Sequence, residues 1–228
     1  MGVITAKGKD AKESANKKNS QIDFKKVYIR LKDGESVRVR ILTPEDYVEY
    51  RAHGSFQQGI YTQPCIQPAG QKCAHCEASQ SGLEEYEGLR ARKRYLFAMA
   101  DLDEGMIRVF DGSRGQAQGL IDTIENYADH LKDLAFIFKR TGSKTDTTYT
   151  LNPIIKLKAD DREKFEQFSE TTVEDAFYET VLQPRTRQQQ IEELQKAGFP
   201  VETHFRNEWI EADVKPIEES NGDPENVF

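Results

Sequence analysis

The chain lacks any apolar run near the roughly 18 residues needed to span a bilayer. Its opening residues, MGVITAKGKDAKES, hold no stretch apolar enough for a secretory leader, and Met1-Gly2 alone does not make a lipid anchor. Enzyme signatures are missing as well. There is no Walker A loop, no HExxH and no GxSxG. A zinc deaminase would need His-x-Glu ahead of its CxxC, whereas His53 is followed by Gly54-Ser55. Catalysis is therefore not expected. Cysteine is scarce and odd in number: Cys65, Cys73 and Cys76 are the whole complement. Three cysteines cannot all close into disulfides, and with no export signal they point to a reducing compartment, the cytoplasm.

What the three cysteines do offer is a metal site. With His53 they read His53-x11-Cys65-x7-Cys73-x2-Cys76. Thiolates and a neutral imidazole are the donors Zn²⁺ prefers, and a Cys-x2-Cys turn presents two sulfurs to one ion. Three sulfurs and one nitrogen fill a tetrahedron, leaving no position for water or substrate, so one structural Zn²⁺ is expected. A redox CxxC would need a βαβ context that the flanking sequence does not supply. His53 is the preferred fourth ligand because it can close the loop from the far side. His75, inside the tight turn between Cys73 and Cys76, is the alternative.

Charge is unevenly spread over the 228 residues. Residues 1–40 hold 11 Lys+Arg against 5 Asp+Glu, residues 41–158 hold 14 against 16, and residues 159–228 hold 7 against 18. The overall charge of −7 thus conceals a basic front and an acidic rear, the asymmetry expected of nucleic-acid contact with an acidic tail. Residues 1–22 read as a flexible basic arm and 216–228 as a disordered acidic tail, since neither buries enough apolar surface to offset its ordering entropy. Between them lie an expected core at 23–158, with a metal lobe at about 50–90, and a helical C-terminal extension at 159–215 packed on that core.

Period-2 alternation marks strands at Val27–Leu31 and Val37–Ile41, expected to pair as a hairpin about Lys32-Asp33-Gly34-Glu35. Further strands are expected at Asp46–Arg51, Arg92–Met99, Met106–Phe110, Ala135–Arg140 and Thr147–Lys158, the last two joined by a turn containing Gly142. Leu120, Ile124, Tyr127, Leu131 and Leu134 recur at helical spacing. Asp160–Phe168 and Pro184–Ala197 read as helices, the second ending near Gly198, with a short strand at His204–Ile210. This is a mainly β chain with helices, suited to a small Greek-key barrel of the OB type carrying an inserted zinc lobe. Its polar strand faces nominate a cationic, aromatic surface for single-stranded nucleic acid: Tyr28, Arg30, Arg38, Arg40, Arg92, Lys93, Arg94, Tyr95, Phe97, Arg108 and Phe110, with Lys139, Arg140, Lys144 and Tyr149 as a second group.

Several segments resemble one family. His53-Gly54-Ser55-Phe56, Tyr61, Cys65 and Lys72-Cys73-Ala74-His75-Cys76 are similar to the metal loop of the T-even-type phage single-stranded DNA-binding proteins. Gly34-Glu35-Ser36-Val37-Arg38-Val39-Arg40-Ile41-Leu42 resembles the family's strand before that loop. Arg92-Lys93-Arg94-Tyr95-Leu96-Phe97, Glu104-Gly105 and Arg108-Val109-Phe110 resemble its basic-aromatic strand pair. The similarity covers roughly residues 24–158. It implies an OB-fold holding one structural zinc through His53, Cys65, Cys73 and Cys76. It also implies sequence-independent binding of single-stranded DNA in phage replication, recombination and repair, within the bacterial host's cytoplasm. Self-association along DNA and recruitment of replication or recombination proteins by the acidic tail would follow from it. The rival expectation is a non-catalytic, zinc-stabilised protein-interaction adaptor of replication or transcription. An RNA binder shares the same surface physics.

Overall fold

A computed structural model of the chain describes residues 22–206. The basic arm (apart from Ile22), the acidic tail and positions 207–210 of the expected last strand lie outside the described residues. The elements in chain order are β1 (Ser36–Arg40), β2 (Tyr47–Ser55), β3 (Ile60–Pro64), α1 (Ala74–Ser79), α2 (Glu84–Glu87), β4 (Arg92–Asp101), β5 (Met106–Ser113) and α3 (Arg114–Asn126). They continue with β6 (Ala135–Thr141), β7 (Thr148–Ile154), α4 (Ala159–Glu166), α5 (Asp175–Leu182), α6 (Arg187–Lys196) and α7 (Val201–His204). Helices and strands claim similar shares of the chain, so the fold is mixed α/β rather than mainly β. The excess helix comes from α1, α5 and α7, which run for only six, eight and four residues, too short for a helical period to stand out in the sequence; α5 buries Tyr178 and Val181. His204 closes α7 instead of opening a strand. No helix among the described residues is long and apolar enough to cross a membrane.

The described chain divides into two compact units. The first comprises residues 22–46, Ala98–Phe110 and Thr123–Val173. Within it β1 pairs antiparallel with the end of β4 (Val39 opposite Asp101) and with β6 (Val37 opposite Phe138), and β6 pairs with β7 (Phe138 opposite Leu151). The β6–β7 turn depends on Gly142. Its φ of +83° is left-handed, and a Cβ there would fall 2.3 Å from the Asp146 carbonyl oxygen. Residues 27–31 alternate as expected, with Val27, Ile29 and Leu31 buried, but they do not form a hairpin with β1. Tyr28 instead bridges Val109 of β5 in parallel: Val109 N–H donates to the Val27 carbonyl at 2.7 Å and Ile29 N–H to the Val109 carbonyl at 2.8 Å. Lys32–Glu35 does form a turn, but its exit hands the chain to β6 through Gly34 N–H and the Arg140 carbonyl. Ala100, Leu102, Ala135, Phe165 and Phe168 form one apolar cluster of this unit.

The second unit comprises Tyr47–Phe97, Asp111–Asp122 and residues 174–206. Here β2 pairs antiparallel with β3 and with the first half of β4, Ala52 standing opposite Arg92 and Glu49 opposite Tyr95. Ile60, Ala74, Ala78, Tyr86 and Leu89 pack against Ile191, Leu194, Phe199, Val201 and Phe205 of the α6–α7 region. α6 starts on a capping box, Thr186 accepting from Gln189 N–H while the Gln189 side chain accepts from Thr186 N–H.

Candidate metal centre and the cleft beside it

Each ligand is delivered by a short local device. β2 and β3 form a hairpin whose tip turns at Gly59 (φ +66°), its N–H reaching the Phe56 carbonyl at 3.2 Å. Between His53 and Ser55 the register slips, so that one residue of β2, Gly54, answers two of β3, Tyr61 and Thr62, a bulge that re-aims neighbouring side chains. Gly54 sits in this bulge, where a Cβ would press within 3.3 Å of the Thr62 backbone. Cys65 follows β3 and is held by its N–H to the Arg51 carbonyl at 2.8 Å. Cys73 is the N-cap residue of α1 and Cys76 lies in its first turn, which brings the two sulfurs of the CxxC together.

His53, Cys65, Cys73 and Cys76 place one donor atom each within 4.8 Å of one another, three of the residues buried and Cys76 half-buried. His53 Nε2 lies 3.3 Å from Cys73 Sγ and 3.6 Å from Cys76 Sγ, and Cys65 Sγ lies 3.5 Å from Cys76 Sγ. Metal–sulfur bonds of about 2.3 Å and metal–nitrogen bonds of about 2.0 Å give tetrahedral edges of roughly 3.5–3.8 Å. These three of the six edges fall within about 0.3 Å of that range. They are far longer than the ~2.05 Å of a disulfide, and all three cysteines are free.

The imidazole is oriented for ligation too. His53 Nδ1–H donates to the Leu89 carbonyl at 2.6 Å, leaving the Nε2 lone pair facing the sulfurs. The thiols share their protons unevenly. A hydrogen bond from Cys76 holds the Cys73 thiol far below its ordinary value against the opposing effect of burial. Cys76 is pushed far up by its bond to Cys73 and by burial, and Cys65 is pushed up chiefly by burial. Three crowded sulfurs that cannot all ionise alone are the arrangement a cation relieves. The quartet can therefore hold a metal ion. His75, fully buried, is not part of it: its ring centre lies 5.4 Å from that of His53, and its Nε2 is turned to Glu193 Oε2 at 3.2 Å.

Beside the centre, and sharing His53 as a wall, opens a cleft of about 800 Å³. Phe56 and Tyr61 of the hairpin line it, as do Arg92, Lys93 and Arg94 of β4 and Arg114 at the start of α3. Phe56 is fully exposed and Tyr61 is 83 % exposed. Lys93 Nζ meets Glu49 at 3.0 Å and Arg94 Nε meets Asp111 Oδ1 at 2.9 Å, while Arg92 and Arg114 carry no ion pair among the described residues. The Tyr95 hydroxyl donates to Glu49 at 2.8 Å. That carboxylate is held below its ordinary range by the hydrogen bonds from Lys93 and Tyr95.

The other residues nominated from the sequence are placed differently. Phe97 and Phe110 are core, because β4 is buried on both faces from Leu96 onward and Phe110 packs edge-on to Phe138. Neither can stack on a base in this fold. Arg40 is also inside: it donates to the Phe165 carbonyl at 2.7 Å and its guanidinium lies 4.0 Å over the Phe165 ring. Burial pulls its pKa below the ordinary arginine value. Arg108 grips the wholly buried Asp101 at 2.7 Å and the carbonyls of Lys26 and Tyr28. Arg38 is paired with Asp103 and Asp161, and Arg140 donates to the Leu31 carbonyl at 2.6 Å. Tyr149 stacks at 5.5 Å on Phe138 and is half-buried. Arg30 is exposed, with its guanidinium 5.9 Å over the half-buried Tyr28 ring. Lys139 is half-buried and Lys144 exposed in a left-handed turn position.

Phe56, Tyr61 and Arg114 escaped nomination as binding residues. Phe56 and Tyr61 were visible only as parts of the metal-loop motif, and Arg114 stood alone at a helix start. Comparison with models of known families and with curated proteins finds no match to this chain.

Proposed function

We propose that this protein binds single-stranded DNA without reading its sequence, through the cleft beside a structural zinc centre. The observation that carries this reading is the pair of exposed aromatics, Phe56 and Tyr61, in the same cleft as Arg92, Lys93 and Arg114. Two exposed rings grouped in one cleft and rimmed by cations are the kind of apolar patch that marks a binding surface. Base stacking on such rings contributes roughly 1–3 kcal/mol per base and tolerates any base, while the cations meet the phosphates. Zinc is the ion that suits the quartet, because three thiolates and an imidazole at tetrahedral spacing are its preferred donors. Four protein donors fill the coordination sphere, which fits a structural and non-catalytic role. The ion ties β2, the end of β3 and α1 together at the base of the hairpin whose tip carries Phe56. The antiparallel strands with a helix between β5 and β6 support an OB-like barrel as the fold. Roles in phage replication, recombination and repair, and contacts of the acidic tail with partner proteins, are part of the same proposal and rest on the sequence resemblance.

Fluorescence anisotropy of labelled dT oligomers tests it, across salt and with or without a zinc chelator. Binding should fall with salt at about −0.7 in log K per log salt for each phosphate contacted, and should favour single over double strands. Chelation should abolish it. No binding to dT at low salt by full-length or tail-deleted protein would hand the case to the adaptor reading, and a preference for rU oligomers over dT would move the substrate to RNA.

A further inference from the structure

The segments that carry the metal ligands are each tied to α6, and the ties are polar. Gln190, wholly buried, accepts from Ala74 N–H at 2.9 Å through Oε1 and donates Nε2 to the Arg185 carbonyl at 3.3 Å. Ala74 follows Cys73, so this bond orients the peptide bearing that ligand. Glu193, nearly one turn further along α6, accepts from the buried Gln63 side chain and faces His75 Nε2 at 3.2 Å. Gln63 stands opposite His53 in the β2–β3 ladder, and His75 lies between the two cysteines of the CxxC. Arg187 forks Glu77, the residue after Cys76, at 3.0 and 2.8 Å. The hairpin, the start of α1 and the residue after its second ligand thus each receive a different side chain of one helix.

Packing alone does not require this arrangement. Ile191 and Leu194 of α6 already bury themselves in the same apolar cluster as Ala74, Ala78 and Leu89. Burying an amide and most of a carboxylate carries a desolvation cost that apolar residues at those positions would avoid. Hydrogen-bonded partners behind the ligands of a metal fix ligand orientation, and losing one typically weakens metal binding about 10- to 100-fold.

We infer that Gln190 and Glu193 are positioning residues of the metal centre, so that retention of the ion depends on a helix 116 residues away from Ala74 in sequence. This rests on the quartet holding zinc. Full-length protein loaded with zinc is mixed with a chromophoric chelator, and the release rate is compared for wild type, Q190M, E193A, E193Q and L194V. Melting curves in excess zinc establish that each variant is folded. Q190M, which keeps volume but removes the acceptor, should release zinc about 10-fold faster. E193A should do likewise, and E193Q, retaining an acceptor for Gln63, should recover most of the wild-type rate. L194V, a packing change in the same helix, should lower the melting temperature without speeding release. Release from Q190M at the wild-type rate, or from L194V as fast as from Q190M, would overturn the inference. Wild-type protein that retains no stoichiometric zinc would remove the metal reading itself, and the inference with it.

Discussion

Four arginines of the first unit and the cleft cations Arg92, Lys93 and Arg114 of the second do opposite work. Arg38, Arg40, Arg108 and Arg140 are all spent inside the first unit, on Asp103 and Asp161, the Phe165 carbonyl, Asp101 and the Leu31 carbonyl. Arg92 and Arg114 of the second unit line an open cleft with no ion pair among the described residues, and Lys93 is held only by the exposed Glu49. In sequence Arg38, Arg40 and Arg108 on the one side and Arg92 and Lys93 on the other look alike, since all lie in basic strand segments. A basic strand face therefore signals a ligand surface only where nothing else in the fold claims the charge.

The comparison breaks most severely at Arg108. R108A strands the buried Asp101 carboxylate without its partner, a loss of about 3–5 kcal/mol in stability; chemical denaturation should show it, while DNA affinity per folded molecule stays at the wild-type value. Next come the rings. F56A and Y61A should each cost about 1–3 kcal/mol of binding to dT oligomers, read by anisotropy, and leave the melting temperature within a degree or two. An unchanged affinity in the double variant would remove the cleft from the DNA path. Smaller again is R92A, expected to flatten the salt dependence by about 0.7 in log–log slope, with stability within about 0.5 kcal/mol of wild type. Smallest is E49Q. Freed from that carboxylate, Lys93 should strengthen binding about two- to threefold at low salt, because an exposed ion pair is worth well under 1 kcal/mol. Equal affinity for E49Q and wild type would show that Glu49 does not compete with phosphate.

Legibility followed the range of the interactions. The strands β4, β6 and β7 were visible in the period of their apolar residues, a local property; the helix after Gly115 was visible too, but it ends at Asn126, so Tyr127, Leu131 and Leu134 of the expected repeat lie beyond it. The alternation of 27–31 was visible, yet the segment forms neither a strand nor a hairpin with β1: Tyr28 makes an isolated parallel bridge to Val109, with Val27, Ile29 and Leu31 buried. Phe97 fell on the expected face beside Tyr95, but a strand buried on both faces has no outward side.

The amino-acid sequence by itself determined the sulfurs of the metal quartet, since donor chemistry belongs to residue type and the CxxC spacing to a single helical turn. Whether His53 or His75 completes the set stayed open in the sequence, and the fold puts His53 Nε2 among the sulfurs. Only the tertiary structure decided which cations are free. Arg38 meets Asp161 across 123 residues and Arg40 meets Phe165 across 125, and no local pattern encodes a partner so distant. The same holds for the support of the metal centre by Gln190 and Glu193, because a buried amide or carboxylate takes its meaning from whatever polar group the folded chain sets opposite it.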